Sequence, residues 1–137
     1  MGTKFSMSNV VRMYDTDTAG ILYFGQQFRF ANDALESMMA TCGFSFYRMF
    51  KQEAYGIVVV HAEADYKASL HVGDEIEVTS WVSHIGTTSV HLCYEINRGG
   101  VLAGTVKTVH VAIDRVLGGK IPIPTEMRVC LERYFVG

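Results

Sequence analysis

Residues 24–43 read FGQQFRFANDALESMMATCG, with an apolar residue at every third or fourth position. Intervals of four, three, four, three and four separate Phe24, Phe28, Ala31, Leu35, Met38 and Cys42. This spacing places all six residues on one face of an α-helix. Phe30, Ala34 and Met39 widen the apolar face, which is typical of a helix that is buried on several sides. The sequence therefore predicts a long buried helix over about residues 25–42.

The rest of the chain carries the alternation that is typical of β-strands. After Gly56 apolar and polar residues alternate with a period of two, and Gly-rich turn signals such as Gly99-Gly100 separate the runs. The pattern predicts strands that are joined largely as hairpins. The predicted strands are residues 5–14, 57–68, 74–85, 88–98 and 101–114, and the predicted shorter helices are residues 45–52 and 125–134.

The order of these elements predicts an α+β fold. One strand, one long helix and a run of antiparallel strands bury the helix if the sheet curls around it. This arrangement, a curled antiparallel sheet of about five strands around one central helix, is called the hotdog fold. The length of 137 residues suits one core, and no linker interrupts the chain, so we predict one domain over residues 1–137.

Composition argues against several classes of protein. With 12 basic and 14 acidic residues the net charge is -2, and no run supplies the positive field that nucleic-acid binding needs. No stretch approaches the roughly 20 apolar residues of a membrane span. Cys42, Cys93 and Cys130 are odd in number and lack CxxC spacing, which argues against a disulfide framework or zinc site. We predict a cytoplasmic protein whose cysteines are reduced and pack as small apolar groups.

A short loop ahead of the long helix carries the best candidates for chemistry. Residues 14–24 read YDTDTAGILYF and contain Asp15, Asp17 and Gly20. The first turn of a helix has N–H groups without internal partners, which can bind a thioester carbonyl oxygen and stabilise its developing negative charge. A carboxylate beside it can attack the carbonyl carbon or take a proton from water. The same acids can also cap the helix or form an Asx turn, and the residues alone leave both interpretations open.

The chain resembles the 4-hydroxybenzoyl-CoA thioesterase family, and most closely its aroyl-CoA branch, which includes the 1,4-dihydroxy-2-naphthoyl-CoA hydrolases. The resemblance rests on Asp15-Thr16-Asp17, Ala19-Gly20, Tyr23-Phe24, Phe28, Cys42-Gly43, His61 to Tyr66 and Asp74 to Ile76. It implies hydrolysis of an acyl- or aroyl-CoA thioester to free acid and CoA, without metal or organic cofactor. It also implies a homodimer that assembles into a homotetramer.

The resemblance also implies roles for individual residues. Asp17 would be the nucleophile or general base, the N–H of Phe24 would polarise the thioester carbonyl, and Asp15 would be a structural cap. The residues expected to bind substrate are Gly20, Tyr23, Phe24, Tyr47, His61 and Ser89. The family's basic cluster for the CoA phosphates falls on Ile85 to Ser89, which contains no Arg or Lys, so we expect a weaker phosphate grip here.

Two alternatives follow from the same residues. A hydratase or dehydratase on this fold would pair a histidine with an acid, and the loop ahead of the helix contains no histidine. A non-catalytic acyl-binding or structural domain would share the fold and release no free thiol from CoA esters. His91 and His110 could face each other on adjacent strands, but two histidines do not make a metal site without further ligands.

Overall fold

The computed structural model describes residues 2–137 as five β-strands, three α-helices and two short 3-10 turns. The strands are β1 (Phe5–Val10), β2 (Tyr55–Tyr66), β3 (Glu75–Ile85), β4 (Ser89–Arg98) and β5 (Val101–Asp114). The helices are α1 (Gln27–Ala40), α2 (Phe46–Gln52) and α3 (Thr125–Arg133), and the 3-10 turns are Met13–Asp15 and Phe24–Gln26. None of the helices in this described part of the chain is long and apolar enough to cross a membrane.

The strands form one antiparallel sheet in the order β1-β3-β4-β5-β2. The hairpins that join β3 to β4 and β4 to β5 confirm the prediction for that half of the chain. No hairpin joins β2 to β3, because β2 pairs with β5 and β3 pairs with β1. The segment between β2 and β3 instead passes the start of α1, where Leu22 N–H donates to Leu70 O at 2.8 Å. Strand β2 is therefore an edge strand.

Helix α1 supplies the centre of the core, as its periodicity predicts. Its buried residues include Phe30, Ala34 and Met38, none of which retains exposed surface. Each large apolar side chain buried in this way stabilises the fold by about 1.5–3 kcal/mol. Phe24 departs from the pattern and is 64% exposed, because it lies in the 3-10 turn that precedes α1. The curled sheet around one helix is the hotdog arrangement.

The first residue of α1 ties the helix to two strands. Gln27 is buried, and its Nε2 donates to the carbonyl oxygens of Asp65 on β2 at 3.0 Å and Thr105 on β5 at 3.1 Å. Gly104 makes room for this contact, since a Cβ there would lie 2.5 Å from Gln27 Oε1. The start of α1 is thus held against the end of β2, which positions the candidate site.

A disulfide joins Cys42, just after α1, to Cys130 on α3, 88 residues later. The prediction that all cysteines are reduced and apolar was therefore wrong for this pair. Three cysteines cannot all be paired, but their odd number does not exclude one disulfide. The contact arises because α3 packs over the end of α1 and brings the two Cα atoms to 5.7 Å. Cys93 is the free cysteine among residues 2–137.

Candidate active site

Asp15 is an ionised anchor between the loop and α1. Its wholly buried carboxylate accepts hydrogen bonds from Arg29 Nε and Nη2, each at 2.8 Å, from Arg12 N–H at 2.8 Å and from Gln26 Nε2 at 3.0 Å. Burial alone raises the pKa of Asp15, but the hydrogen bonds from Arg29 and Arg12 and the charge of Arg29 outweigh it and lower the pKa. These contacts suit the structural role that the resemblance implies for Asp15.

Asp17, two residues later, has the opposite environment and is exposed. Its Oδ1 accepts from Ala19 N–H at 2.9 Å, and its carbonyl oxygen accepts from Gly20 N–H at 3.0 Å. Gly20 has a φ of +74°, which a glycine adopts without strain, so the chain reverses tightly here. Asp17 Oδ2 makes no hydrogen bond within residues 2–137, which leaves one carboxylate oxygen available for chemistry.

The tip of the helix offers free donors. The 3-10 turn Phe24–Gln26 leads directly into α1, and among the residues placed by the structure no acceptor bonds the N–H of Phe24 or Gly25. The helix macrodipole adds partial positive charge at this end. The Phe24 carbonyl, by contrast, is occupied, because Tyr66 Oη donates to it at 2.6 Å. The tip can therefore bind one carbonyl oxygen or other small anionic group.

A cavity of about 260 Å³ opens beside this tip. It is lined by Ile21, Leu22, Phe24, Gln27 and Tyr66 to Leu70. The ring of Tyr23 packs against that of Phe24, with centroids 4.7 Å apart, at the mouth of the site. Asp17 does not line this cavity in the single chain. Of the predicted site residues, Phe24 alone lines it, and within the loop Asp17 N–H donates to Ile21 O at 3.0 Å.

The other candidate residues lie elsewhere in the single chain. Tyr47 is 74% exposed on α2, and His61 is exposed on β2 with its Nε2 3.1 Å from Glu63 Oε1. Ser89 is half-buried at the start of β4. In the described part of the chain no hydrogen bond or ion pair joins any of the three to Asp17.

His91 and His110 do not face each other on adjacent strands. His91 stands opposite Val109 on β5 and His84 on β3, and the rings of His84 and His91 are 5.0 Å apart. His110 pairs instead with Val59 on β2 and with Val90 on β4. No three His, Cys, Asp or Glu side chains within residues 2–137 are grouped closely enough to hold a metal ion.

Arg128 is a basic residue at the β3–β4 turn that sequence reasoning missed. Its Nη2 donates to Gly86 O at 2.6 Å and to Thr87 O at 3.2 Å. The turn itself contains no Arg or Lys, but α3 supplies this guanidinium from more than 40 residues further along the chain. No pattern in the sequence around the turn indicates the contact, because it depends on where α3 packs.

The fold and the loop define a class. A curled antiparallel sheet around one helix, with unpaired N–H groups and a cavity at the helix tip, is a hotdog fold suited to polarising a thioester carbonyl. The chain belongs to the thioesterase-like superfamily, whose model matches residues 11–131.

Similar proteins agree with this assignment. A 1,4-dihydroxy-2-naphthoyl-CoA hydrolase from Synechococcus elongatus is 26% identical over 93% of this chain and 95% of its own. The crystal structure of a 1,4-dihydroxy-2-naphthoyl-CoA thioesterase from Synechocystis superposes with a TM-score of 0.88 at 26% identity, over 93% of this chain and 95% of that one.

A Staphylococcus aureus protein solved in complex with CoA has a TM-score of 0.87 at 17% identity, over 98% of this chain and 85% of that one, which supports the fold alone. The predicted hotdog fold and the predicted class, a hydrolase of CoA thioesters, are confirmed.

Proposed function

We propose that the chain hydrolyses an acyl- or aroyl-CoA thioester to the free acid and CoA, with Asp17 as nucleophile or general base. The observation that carries this proposal is the loop of residues 17–25. In this loop Asp17 keeps a free Oδ2, and Phe24 and Gly25 keep unpaired N–H groups at the tip of α1. An aroyl group is favoured because similar proteins are 1,4-dihydroxy-2-naphthoyl-CoA hydrolases.

The proposed mechanism uses only water and the chain's own groups, with no metal or organic cofactor. The thioester carbonyl oxygen accepts a hydrogen bond from Phe24 N–H, which gains strength as negative charge develops on that oxygen. One such donor is worth about 3 kcal/mol of barrier lowering. Asp17 either attacks the carbonyl carbon, forming an anhydride that water then cleaves, or removes a proton from the attacking water. In both cases the C–S bond breaks and CoA leaves as the thiolate.

Asp17→Asn tests the proposal. We expect turnover of CoA esters, measured by release of free thiol, to fall by orders of magnitude while the circular dichroism spectrum stays unchanged. Asp114→Asn is the matched control, since Asp114 is a half-buried acid that likewise accepts backbone N–H bonds in a turn, from Val116 and Leu117. Near-normal turnover in Asp17→Asn would refute the assignment. Release of no thiol by the wild type from any ester would favour a non-catalytic acyl-binding domain.

The two possible roles of Asp17 can be separated by a single-turnover reaction in ¹⁸O-labelled water. A nucleophile acquires the label in its own carboxylate when water cleaves the anhydride at the aspartyl carbon. A general base stays unlabelled, and the whole label appears in the released acid.

We propose that the phosphates of CoA bind at the β3–β4 turn with the help of Arg128. Arg128 is half-buried, and its Nε and Nη1 make no hydrogen bond within residues 2–137, so they remain available to an anion. Thr87, Thr88 and Ser89 add hydroxyl donors along the same turn. Arginine suits this task because its planar fork of donors matches phosphate oxygens.

We propose further that two chains pair along β2, and that dimers assemble into a homotetramer, as the family resemblance implies. Strand β2 is a long edge strand with Val58, Val59 and Val60 exposed, which is an unusual surface for a single chain in water. A two-fold axis beside β2 would pair the same strand from both copies and continue the sheet. It would also place a second chain close to the tip of α1, because Gln27 at the start of that helix bonds Asp65 on β2.

Sedimentation velocity of Val60→Lys tests the dimer. We expect the variant to dissociate, because a charge would be buried at the shared edge. Val101→Lys is the control, as Val101 is similarly exposed, 54% against 59% for Val60, but lies on β5, inside the sheet order. A wild-type chain that sediments as a monomer would contradict the proposal.

We propose that the chain acts in the cytoplasm. CoA esters carry several phosphate charges and do not cross membranes unaided, so an enzyme that consumes them works where they are made. Disulfides seldom persist in that compartment, so we expect the bond that joins Cys42 and Cys130 in the structure to be reduced there. Cell fractionation followed by alkylation of free thiols tests both statements, and an oxidised pair outside the cytoplasmic fraction would contradict them.

A further inference from the structure

A groove runs between α1 and β2, and its first lining residue on α1 is Phe28, one helical turn after Phe24. Tyr66 on β2 bonds Phe24 at the tip, and further along β2 Ala62 and Val59 line a cavity of about 340 Å³ together with Phe28 of α1. A second cavity of about 150 Å³ continues past Leu35 and Ile57. The two cavities share Asn32, Val59 and His110, so they form one continuous groove.

His110 is a buried polar residue in the middle of this largely apolar groove. Its side chain belongs to β5 and is 5% exposed, and its Nε2 lies 3.0 Å from Thr108 Oγ1. Nδ1 makes no hydrogen bond within residues 2–137. Every side-chain nitrogen or oxygen there that is fully buried has a hydrogen-bond partner, so Nδ1 is not fully buried. Because His110 lines both cavities, Nδ1 is accessible from the groove. Thr108 and Tyr94 line the same wall.

The ring of His110 is neutral at physiological pH. Burial lowers its pKa to about 4, so one ring nitrogen donates a hydrogen bond and the other accepts one. A neutral imidazole facing a groove suits an uncharged hydroxyl or carbonyl group better than a carboxylate. An apolar group placed against it would leave the imidazole without a partner, which costs about 1–3 kcal/mol.

The position of His110 along α1 indicates the length of the ligand. Asn32 of α1 lines both cavities together with His110. Asn32 lies eight residues after Phe24, and a helical rise of about 1.5 Å per residue puts about 12 Å between them along the helix axis. A single aromatic ring on the thioester carbonyl is too short to reach His110 from the tip. Two linked rings in line, or an equally long chain, reach it.

We propose that His110 determines specificity by hydrogen-bonding a hydroxyl or carbonyl group at the far end of an elongated, mainly apolar acyl group. The inference rests on the proposed function, in which the thioester carbonyl binds at Phe24 and the acyl group lies in the groove. The substrate class is then a CoA ester with two or more linked rings, or a long chain, that carries an oxygen about two helical turns from the carbonyl.

Two rigid esters test the inference. We expect the wild type to hydrolyse 4′-hydroxybiphenyl-4-carbonyl-CoA with a kcat/KM at least about tenfold above that of biphenyl-4-carbonyl-CoA. His110→Phe should abolish this preference, and His110→Gln, which keeps a donor and an acceptor, should retain part of it. His91→Phe is the control and should keep the wild-type ratio. For the shorter pair, 4-hydroxybenzoyl-CoA and benzoyl-CoA, the ratio of the two kcat/KM values should be the same in wild type and His110→Phe.

Equal kcat/KM values for the two biphenyl esters in the wild type, or an unchanged ratio in His110→Phe and His110→Gln, would overturn the inference while leaving hydrolysis itself established. Calorimetric binding of both esters to Asp17→Asn repeats the comparison without turnover. A binding preference that disappears in the His110→Phe, Asp17→Asn double variant supports the subsite even if the chain hydrolyses neither ester. Equal affinities there overturn it.

Discussion

The guanidinium of Arg29 binds the buried carboxylate of Asp15 at two points, Nε to Oδ1 and Nη2 to Oδ2, each at 2.8 Å. This fork ties the loop that carries Asp17 to the first turn of the chain's central helix. Asp15 and Asp17 are thus separated by one residue and have different tasks. The buried acid holds the loop in place, and the exposed acid keeps a free oxygen.

Asp15→Asn should destabilise the fold. The amide keeps the size of the carboxylate but removes the charge that Arg29 faces, and breaking a buried pair costs about 3 kcal/mol. Urea denaturation should show this loss of unfolding free energy with an unchanged m-value. Asp33→Asn is the control, since Asp33 bonds Arg29 from a partly exposed position, and its loss should cost less than about 1 kcal/mol.

The ion pair of Asp15 and Arg29 also predicts how the stability of the fold changes at low pH. The pKa of Asp15 is lowered in the folded chain, so its contribution is complete above the unfolded pKa near 3.8 and is lost as pH falls through the folded value. Thermal unfolding of wild type and Asp15→Asn should therefore converge at the lowest pH. Curves that stay equally separated at all pH values would contradict this account of the ion pair.

His110 predicts that stability also falls at moderately acid pH, above the range in which the contribution of Asp15 is lost. Burial lowers its pKa from 6.5 to about 4. Between pH 6.5 and about pH 4 the unfolded chain therefore binds a proton at His110 that the folded chain does not bind. Stability should fall as pH drops from 6.5 towards 4, by up to about 3 kcal/mol. The difference between wild type and His110→Gln, measured by urea titration at each pH, isolates this contribution from the carboxylates. A difference that does not vary with pH would show that the ring is not desolvated.

Arg128→Ala should weaken binding of CoA esters through the nucleotide alone. We expect KM for a CoA ester to rise about tenfold, as for loss of a hydrogen bond to a charged group, with kcat little changed. The same acyl group on N-acetylcysteamine, which lacks the phosphates, should show the wild-type KM. Arg133→Ala, on the same helix, is the control. An equal rise in KM for both esters would indicate a disturbed fold rather than a lost phosphate contact.

Cys42→Ser should lower the stability of the oxidised chain. The bond closes a loop across 88 residues, and removing such a bond costs about 3–4 kcal/mol. Thermal unfolding without reductant should show the loss in Cys42→Ser and none in Cys93→Ser. With excess dithiothreitol the wild type should move towards the variant. A melting temperature that is insensitive to both changes would mean that the bond contributes no stability.

The sequence alone determined the elements and the loop in which chemistry was expected. Helix α1 and strands β3, β4 and β5 follow from local periods of 3.6 and two, because a side chain's direction depends on its own backbone and its near neighbours. The candidate loop was also visible, since two acids and a glycine precede an apolar helix. The different environments of Asp15 and Asp17 were implied by family resemblance and not by the spacing.

Only the tertiary structure decided how distant segments meet. It placed β2 beside β5, joined Cys42 to Cys130, brought Arg128 to the β3–β4 turn and set His110 in a groove along α1. Each of these contacts joins residues far apart in the chain. Such contacts leave no periodic signal in a single sequence, because they depend on how the whole core packs and not on the conformation of any one segment.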